Sequence, residues 1–203
     1  MKIYNSPVAP NPRRVRVFLA EKGISVPYED IDIGNAVNRQ PEFRKKNPLA
    51  GVPVLELDDG TCIAESVAIC RYFEALNPEP PMFGVGAKDQ AVVEMWQRRC
   101  ELSLFFPIAQ VFRHTHPAMK ELEVPQVPAW AEANRPRVLD FLRILDAELG
   151  KHPFIAGERY TVADITALCA IDFMKPARIA VPEELTHLKR WHAEVSARPS
   201  AKA

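Results

Sequence analysis

Apolar positions along this chain keep two different rhythms. Through residue 76 they come in short runs that switch between strand-like alternation and helix-like spacing; from residue 87 to about 198 the helical spacing persists. Lys2–Asn5 predicts a short strand. Val15, Phe18 and Leu19 then recur at helical spacing, and Gly23 follows as a natural helix stop. Pro27–Ile33 predicts a second strand. Val52–Leu57 and Thr61–Ala64 flank Asp58–Asp59–Gly60, a strong hairpin turn signal. Ile69, Tyr72, Phe73 and Leu76 share one stripe of a following helix. The order β-α-β, a connecting segment, then β-β-α predicts a mixed sheet with helices over its faces.

The second rhythm predicts helices alone. Val92, Met95, Trp96, Leu102, Phe105 and Phe106 suit one long helix, with Pro107 as a point of kinking. Val138, Phe141, Leu142, Leu145 and Leu149 form another stripe, stopped at Gly150. A further helix begins near Thr161, where Thr161 and Asp164 have the spacing of a capping box. The last helix is predicted from Pro182 to Arg198, because proline suits a first helical position. Between the halves lies Asn77–Pro78–Glu79–Pro80–Pro81–Met82–Phe83–Gly84, which cannot continue a helix. The predicted organisation is an α/β domain over 1–76, a linker over 77–86 and an all-helical domain over 87–203.

Composition narrows the function classes. Lys plus Arg and Asp plus Glu both number 26, so no global excess of cations exists to replace the counterions of a duplex. A local basic patch would have to come from Arg13, Arg14, Arg16 and Arg44–Lys46. No run approaches the roughly 20 apolar residues of a membrane span. The N-terminus also lacks the apolar stretch of a signal peptide, so the expectation is a cytoplasmic protein. The four cysteines, Cys62, Cys70, Cys100 and Cys169, make neither a CxxC pair nor a zinc-ligand spacing. His114 and His116 lack an evident third ligand, so no metal is expected.

Two local features carry chemistry. In Val52–Pro53–Val54 a proline stands at the entry of a strand, where it removes a ladder donor. A cis Val52–Pro53 bond would make sense of it, turning the Val52 backbone outward to pair with a peptide ligand as an added strand. An edge-strand proline in a loop is the plainer reading. Glu65–Ser66, after a strand and opening a helix, offers free N–H groups, a helix dipole and a hydroxyl to a carboxylate, with an acid for an ammonium. An ordinary helix cap is the plainer reading there.

Together the two features carry a family resemblance. The segment NPLAGVPVLELDDGTCIAES, Asn47 to Ser66, resembles the glutathione transferases, as do FIAGERYTVAD, Phe154 to Asp164, and the ending Arg198–Pro199–Ser200–Ala201. The resemblance spans essentially the whole chain. It implies a thioredoxin-like N-terminal domain with a mixed four-stranded sheet, followed by an all-α C-terminal domain. It implies that glutathione is the co-substrate, that a small hydrophobic electrophile is its partner, and that the protein is a cytosolic homodimer. It implies that Val52 holds the cysteinyl part of glutathione through its backbone with Pro53 cis, and that Glu65 and Ser66 hold the γ-glutamyl end. Asn38 falls where relatives hold the glycyl carboxylate, with Arg39 or Gln40 as alternatives.

The thiol-activating position departs from the common pattern. Where many relatives have Ser this chain has Ala9, and no cysteine lies in the loop. Tyr4 lies within the first strand. Asn11 aligns with the Asn of bacterial nu-like transferases, and Ser6 is the second candidate. Alternatively Asn11 is an N-cap with Pro12 at the first helical position. Phe105, Phe106, Phe112 and His114 are candidates for a second-substrate pocket or, as commonly, for core. The resemblance supports conjugation of glutathione to an electrophile. Glutathione-dependent disulfide or peroxide reduction, or non-catalytic ligand binding, would use the same scaffold.

Overall fold

The computed structural model describes all 203 residues, and the chain divides into two compact units, Met1–Pro81 with Lys202–Ala203 and Met82–Ala201. The first unit is built on a four-stranded sheet in the order β2-β1-β3-β4. Its strands are β1 (Lys2–Asn5), β2 (Tyr28–Asp30), β3 (Val54–Glu56) and β4 (Cys62–Ala64). β1 runs parallel to β2 and antiparallel to β3, and β3 runs antiparallel to β4, so the sheet is mixed. Three strands are shorter than the apolar runs suggest. β2 keeps only Tyr28–Asp30 of Pro27–Ile33, and β3 starts after Pro53, which cannot donate to a ladder.

The pleat sorts the apolar residues onto two faces. Tyr4 and Val54 sit with Ile31 and Phe43 in one buried cluster, while Ile3 and Leu55, one position along, are buried on the opposite face. Helices α1 (Pro10–Glu21) and α3 (Ser66–Leu76) pack together in this unit, and α3 also packs on β3 and β4. The short α2 (Pro41–Arg44) supplies Phe43 to the Tyr4 cluster, ring edge to ring face at 5.8 Å. Gly23 stands at φ +64 just past α1, and the N–H of Ile24 reaches back to the Leu19 carbonyl at 2.9 Å, closing the helix end. In the β3–β4 hairpin Gly60 takes φ +85 and donates to the Leu57 carbonyl.

The second unit is helical. α4 (Gly86–Arg99) runs through a π-helical segment, Cys100–Phe105, into α5 (Phe106–Thr115). The wider turn explains how Pro107 fits without a break, since the Phe106 N–H already bonds five residues back to Glu101. α6 spans Pro128–Leu149, beginning well before its apolar stripe. The residue after it, Gly150, is not left-handed; a Cβ there would meet the His187 ring at 3.2 Å, so close approach is its reason. α7 (Val162–Asp172) is buried at every position through Ile171 and forms the centre of the unit. α8 runs Thr186–Ser196 and not from Pro182 as the proline suggests. Its start is set by Asp146 on α6, whose carboxylate accepts the Leu188 N–H at 2.9 Å. No helix is long and apolar enough to cross a membrane.

Gly84, before α4, stands at φ +89, and a Cβ there would come within 2.9 Å of the Asp89 carbonyl carbon and the Gln90 nitrogen. Gly84→Ala combines a left-handed L-residue with a backbone overlap, and we expect it to cost at least about 2 kcal/mol. Urea unfolding would measure it; a loss below about 0.5 kcal/mol would show that the turn rearranges freely.

Candidate functional site

The strand register brings the chemistry-bearing segments to one end of the sheet. Tyr4 pairs with Val54, and Val54 with Ala64. Chain direction then places the exit of β1, the entry of β3 and the exit of β4 side by side. Asn5–Asn11, Val52–Pro53 and Glu65–Ser66 are the next residues along the chain from that row. With strands about 4.8 Å apart, the row spans about 10 Å, the length of a tripeptide in extended form.

The Val52–Pro53 bond is cis, as expected. Val52 is half-buried and precedes β3, and its backbone N–H and C=O form no hydrogen bond within the protein. The loop before it is held by two asparagines. Asn47, 4% exposed, donates to the Gly51 carbonyl at 3.0 Å and accepts the Leu49 N–H at 3.1 Å. Asn38 donates to the Ala50 carbonyl at 2.6 Å. Asn38 is therefore engaged in positioning the loop next to Val52, while Arg39 and Gln40 are exposed beside it. Asn47 lay inside the motif without a role assigned to it; its spacing to Leu49, typical of an Asx turn, is the signal that marks it.

Glu65 has φ 68 and ψ 118, outside the helical and extended regions open to an L-residue. Such a conformation costs about 1–3 kcal/mol and tends to persist where function requires it. It leaves the Glu65 side chain exposed at the N-cap of α3, without a hydrogen bond from its own helix. Ser66 follows, 6% exposed, and no acid occupies the first turn of α3. The first intrahelical bond of α3 is from the Ile69 N–H to the Glu65 carbonyl, so the amides of the preceding turn point outward with no backbone acceptor. A carboxylate suits that terminus and an ammonium suits the Glu65 side chain.

Asn11 is placed differently from the capping alternative. α1 begins at Pro10 with Ala9 as N-cap, so Asn11 lies in the first turn and its exposed side chain caps nothing. Pro10 and Pro12 have no N–H, which leaves the Asn11 amide as the backbone donor at this terminus. Arg14, 1% exposed, donates to the Asn11 Oδ1 in a long contact of 3.4 Å. That contact engages the Oδ1 and not the Nδ2 donor. Ser6 is 1% exposed, and its carbonyl accepts from the Ala9 N–H and from Arg16. Arg16 gathers the whole loop, donating also to Asn5 Oδ1 at 2.7 Å and to the Pro7 carbonyl at 3.2 Å. Nothing in its local sequence distinguishes it from a solvated helix cation. Tyr4 commits its hydroxyl to Glu56, which Lys46 also binds at 2.8 Å. The Lys46 ammonium, and next the Tyr4 hydroxyl, hold the Glu56 carboxyl below the usual carboxylate range.

Four of the six candidate basic residues are engaged within the protein. Arg14 and Arg16 are turned to the loop above, Arg44 donates to the Arg39 and Pro48 carbonyls, and Lys46 pairs with Glu56. In the second unit, Phe105 is 5% exposed and packs on Phe173, with centroids 6.5 Å apart. Phe112 meets Phe173 at 4.9 Å and stacks on His116 at 4.5 Å. His114 is buried and its Nδ1 accepts the Val127 N–H at 3.1 Å, while the His116 Nδ1 accepts from Ala118 at 3.2 Å. Phe105 and His114 thus serve the core of this unit, and a pocket role narrows to Phe106, 49% exposed, and Phe112.

Comparison with known proteins bears on both units. The family model of the glutathione S-transferase N-terminal domain matches residues 8–76, and that of the C-terminal domain matches residues 117–199. Glutathione S-transferase 2 of Saccharomyces cerevisiae is 38% identical, over 100% of this chain and 88% of its own length. A glutathione S-transferase domain-containing protein of Marinobacter aquaeolei superimposes with a TM-score of 0.96 at 41% identity, covering 98% of this chain and 99% of its own. Gtt2 of Saccharomyces cerevisiae superimposes with a TM-score of 0.96 at 38% identity, covering 100% of this chain and 99% of its own.

Proposed function

The chain belongs to the glutathione S-transferase family, and from that premise we propose that it binds glutathione at the sheet end of its first unit and transfers the sulfur to a hydrophobic electrophile. The observation that carries this reading is the row Tyr4–Val54–Ala64, which gathers an unpaired Val52 backbone, the α3 terminus at Glu65–Ser66 and the first turn of α1 at one edge. The cysteinyl residue of glutathione pairs with Val52 as a short added strand. Its γ-glutamyl carboxylate takes the Ser66 hydroxyl and the free amides of α3, and its ammonium faces Glu65. The thiol then lies toward α1 and Asn11.

The reaction asks little of the protein beyond a thiolate held in place. The thiol gives its proton to solvent, and the sulfur lone pair forms the C–S bond. The displaced group departs with its electron pair, or, in an addition, the new carbanion takes a proton. The Asn11 Nδ2 and the positive end of α1 stabilise the thiolate. Residence in the cytosol as a homodimer belongs to the same reading and rests on family membership.

Calorimetric titration with reduced glutathione tests the site. The wild type is expected to bind in the micromolar-to-millimolar range. Ser66→Ala removes a hydrogen bond to a charged group, worth about 1.5–3 kcal/mol, so its Kd is expected to rise about tenfold or more. Absence of binding by the wild type would overturn the reading.

A further inference from the structure

The connection from α5 to α6, residues 116–127, is tied back to α5 at several points. Arg113 Nη1 meets Glu123 Oε2 at 2.9 Å, and Gln126 Nε2 donates to the Arg113 and His116 carbonyls at 2.8 and 3.0 Å. Two further ties run through histidine rings. Nδ1 of the buried His114 accepts the N–H of Val127, the N-cap residue of α6, at 3.1 Å. Nδ1 of His116 accepts the Ala118 N–H at 3.2 Å, at the start of the 3-10 turn Pro117–Met119. A backbone amide can only donate, so both Nδ1 atoms carry no proton. The single ring proton of each neutral imidazole then sits on Nε2.

These two ties hold only while the rings are neutral. A proton on Nδ1 of His114 sets N–H against N–H and leaves the Val127 amide without its acceptor. The ring itself has a use for that proton. Glu123 Oε1 lies 4.0 Å from His114 Nε2 and attracts an imidazolium, while its other oxygen stays with Arg113. Neutral, His114 holds the start of α6; charged, it is drawn to Glu123 and lets Val127 go. The other charged groups of the elements packed on α5 have partners of their own. On α6, Glu132 pairs with Arg135 and Asp140 with Arg143, both at 2.9 Å, and Arg137 reaches Asn134 at 3.5 Å. In the π-helical segment Glu101 pairs with Arg98. Lys120 and Glu121 are exposed on the connection itself.

We propose that residues 116–127 form a pH-sensitive strap, latched by neutral His114 and His116 and released as the pH falls through the imidazole range. Protons bind the released form, so acid favours release and the latch holds at higher pH. Glu123 keeps Arg113 and gains His114, so the strap stays anchored at its middle and loosens at Ala118 and Val127. The opening is local and leaves the helices folded. His116 also stacks on Phe112 with centroids 4.5 Å apart, so the strap reaches a candidate pocket residue. An effect on electrophile binding rests on the function proposed above; the switch itself does not.

Amide exchange of the full chain, followed by NMR at pH 5 and pH 8 and corrected for the intrinsic rate at each, tests the strap. Protection of Val127, taken relative to the buried Leu142 further along α6, is expected to fall about tenfold at the lower pH, and so is that of Ala118. His114→Asn puts an amide oxygen where Nδ1 stands, so it keeps an acceptor that cannot titrate. In that variant the fall at Val127 should vanish and the fall at Ala118 remain; His116→Asn should do the reverse. In the wild type the Val127 amide shift and the His114 ring shifts should titrate with one midpoint, which Glu123→Gln should move to lower pH. Equal protection of Val127 at both pH values, a fall that persists in His114→Asn, separate midpoints for Val127 and the ring, or a midpoint that Glu123→Gln leaves in place would each overturn the proposal.

Discussion

Replacing Asp164 with alanine is expected to destabilise the protein by about 3 kcal/mol at pH 7, a large part of the about 5–15 kcal/mol that holds a typical protein folded. Asp164 is fully buried at the start of α7. Its Oδ1 accepts the Ile155 N–H at 3.0 Å and the Trp191 Nε1–H at 2.9 Å. Its Oδ2 accepts the Thr161 N–H at 2.9 Å and the Thr161 hydroxyl at 3.2 Å. Truncation orphans the two backbone amides and the indole N–H, each at about 1–3 kcal/mol. One gain opposes this loss. Burial, the largest influence, pushes the carboxyl up from 3.8 to about 6. At about 1.4 kcal/mol per pH unit, relief of that charge burial returns about 3 kcal/mol, so the orphaned donors win by a similar amount.

The same carboxyl makes the loss depend on pH. Between pH 3.8 and about 6 the folded chain holds a proton here that the unfolded chain releases. The contribution of Asp164 is therefore greatest at acid pH, falls as pH rises through about 6, and is level above it. The stability gap between wild type and Asp164→Ala is expected to be about 1 kcal/mol wider at pH 5 than at pH 7. Urea unfolding at both values measures it. A gap that widens with rising pH would mean that the four hydrogen bonds outweigh burial, and a gap under about 1 kcal/mol at pH 7 would mean that water replaces the carboxylate.

Asp164 also shows which parts of the structure a sequence can disclose. The capping-box spacing to Thr161 is local and was readable; the bonds to Trp191 and Ile155 depend on packing and were not. The same division runs through the proposed glutathione site. Val52–Pro53 and Glu65–Ser66 were readable because a proline at a strand entry and an acid–serine pair before a helix are unusual within a few residues. Their nearness followed from one hairpin. The left-handed Glu65 backbone, the Arg16 clamp and the hold of Asn38 on Ala50 arise from contacts between segments. Two positions misled for a physical reason. Pro10 and Pro12 both suit a helix start, and only the path of the loop out of β1 selects Pro10. Pro182 suits one too, but the bond from Asp146 to Leu188 delays α8 to Thr186.

The placement of Asn11 in the first turn sharpens what it can do for a thiol. A free cysteine thiol has a pKa of about 8.5, and the thiolate is the nucleophile. Bringing it down by about two units requires about 2.7 kcal/mol. The helix terminus supplies about 0.3–1 kcal/mol, and here two prolines thin out its amide donors. The larger share must come from a charge-assisted hydrogen bond, about 1.5–3 kcal/mol, and the side-chain amide of the exposed Asn11 is the donor proposed for it. Asn11→Ala keeps the backbone N–H and the dipole and deletes only the side-chain amide. The thiol of bound glutathione, followed by the ultraviolet absorbance of the thiolate, is then expected to titrate about 1–2 pH units higher, with Kd changed by less than about twofold. Turnover of an aryl halide at neutral pH should fall with the thiolate fraction and recover at alkaline pH. Ser6→Ala, at a position 1% exposed, should leave the titration where it is. An unchanged titration in Asn11→Ala together with a raised one in Ser6→Ala would transfer the role to Ser6. If neither moved, the terminus of α1 alone would have to stabilise the thiolate, and its thin set of donors would leave the proposed reaction slow.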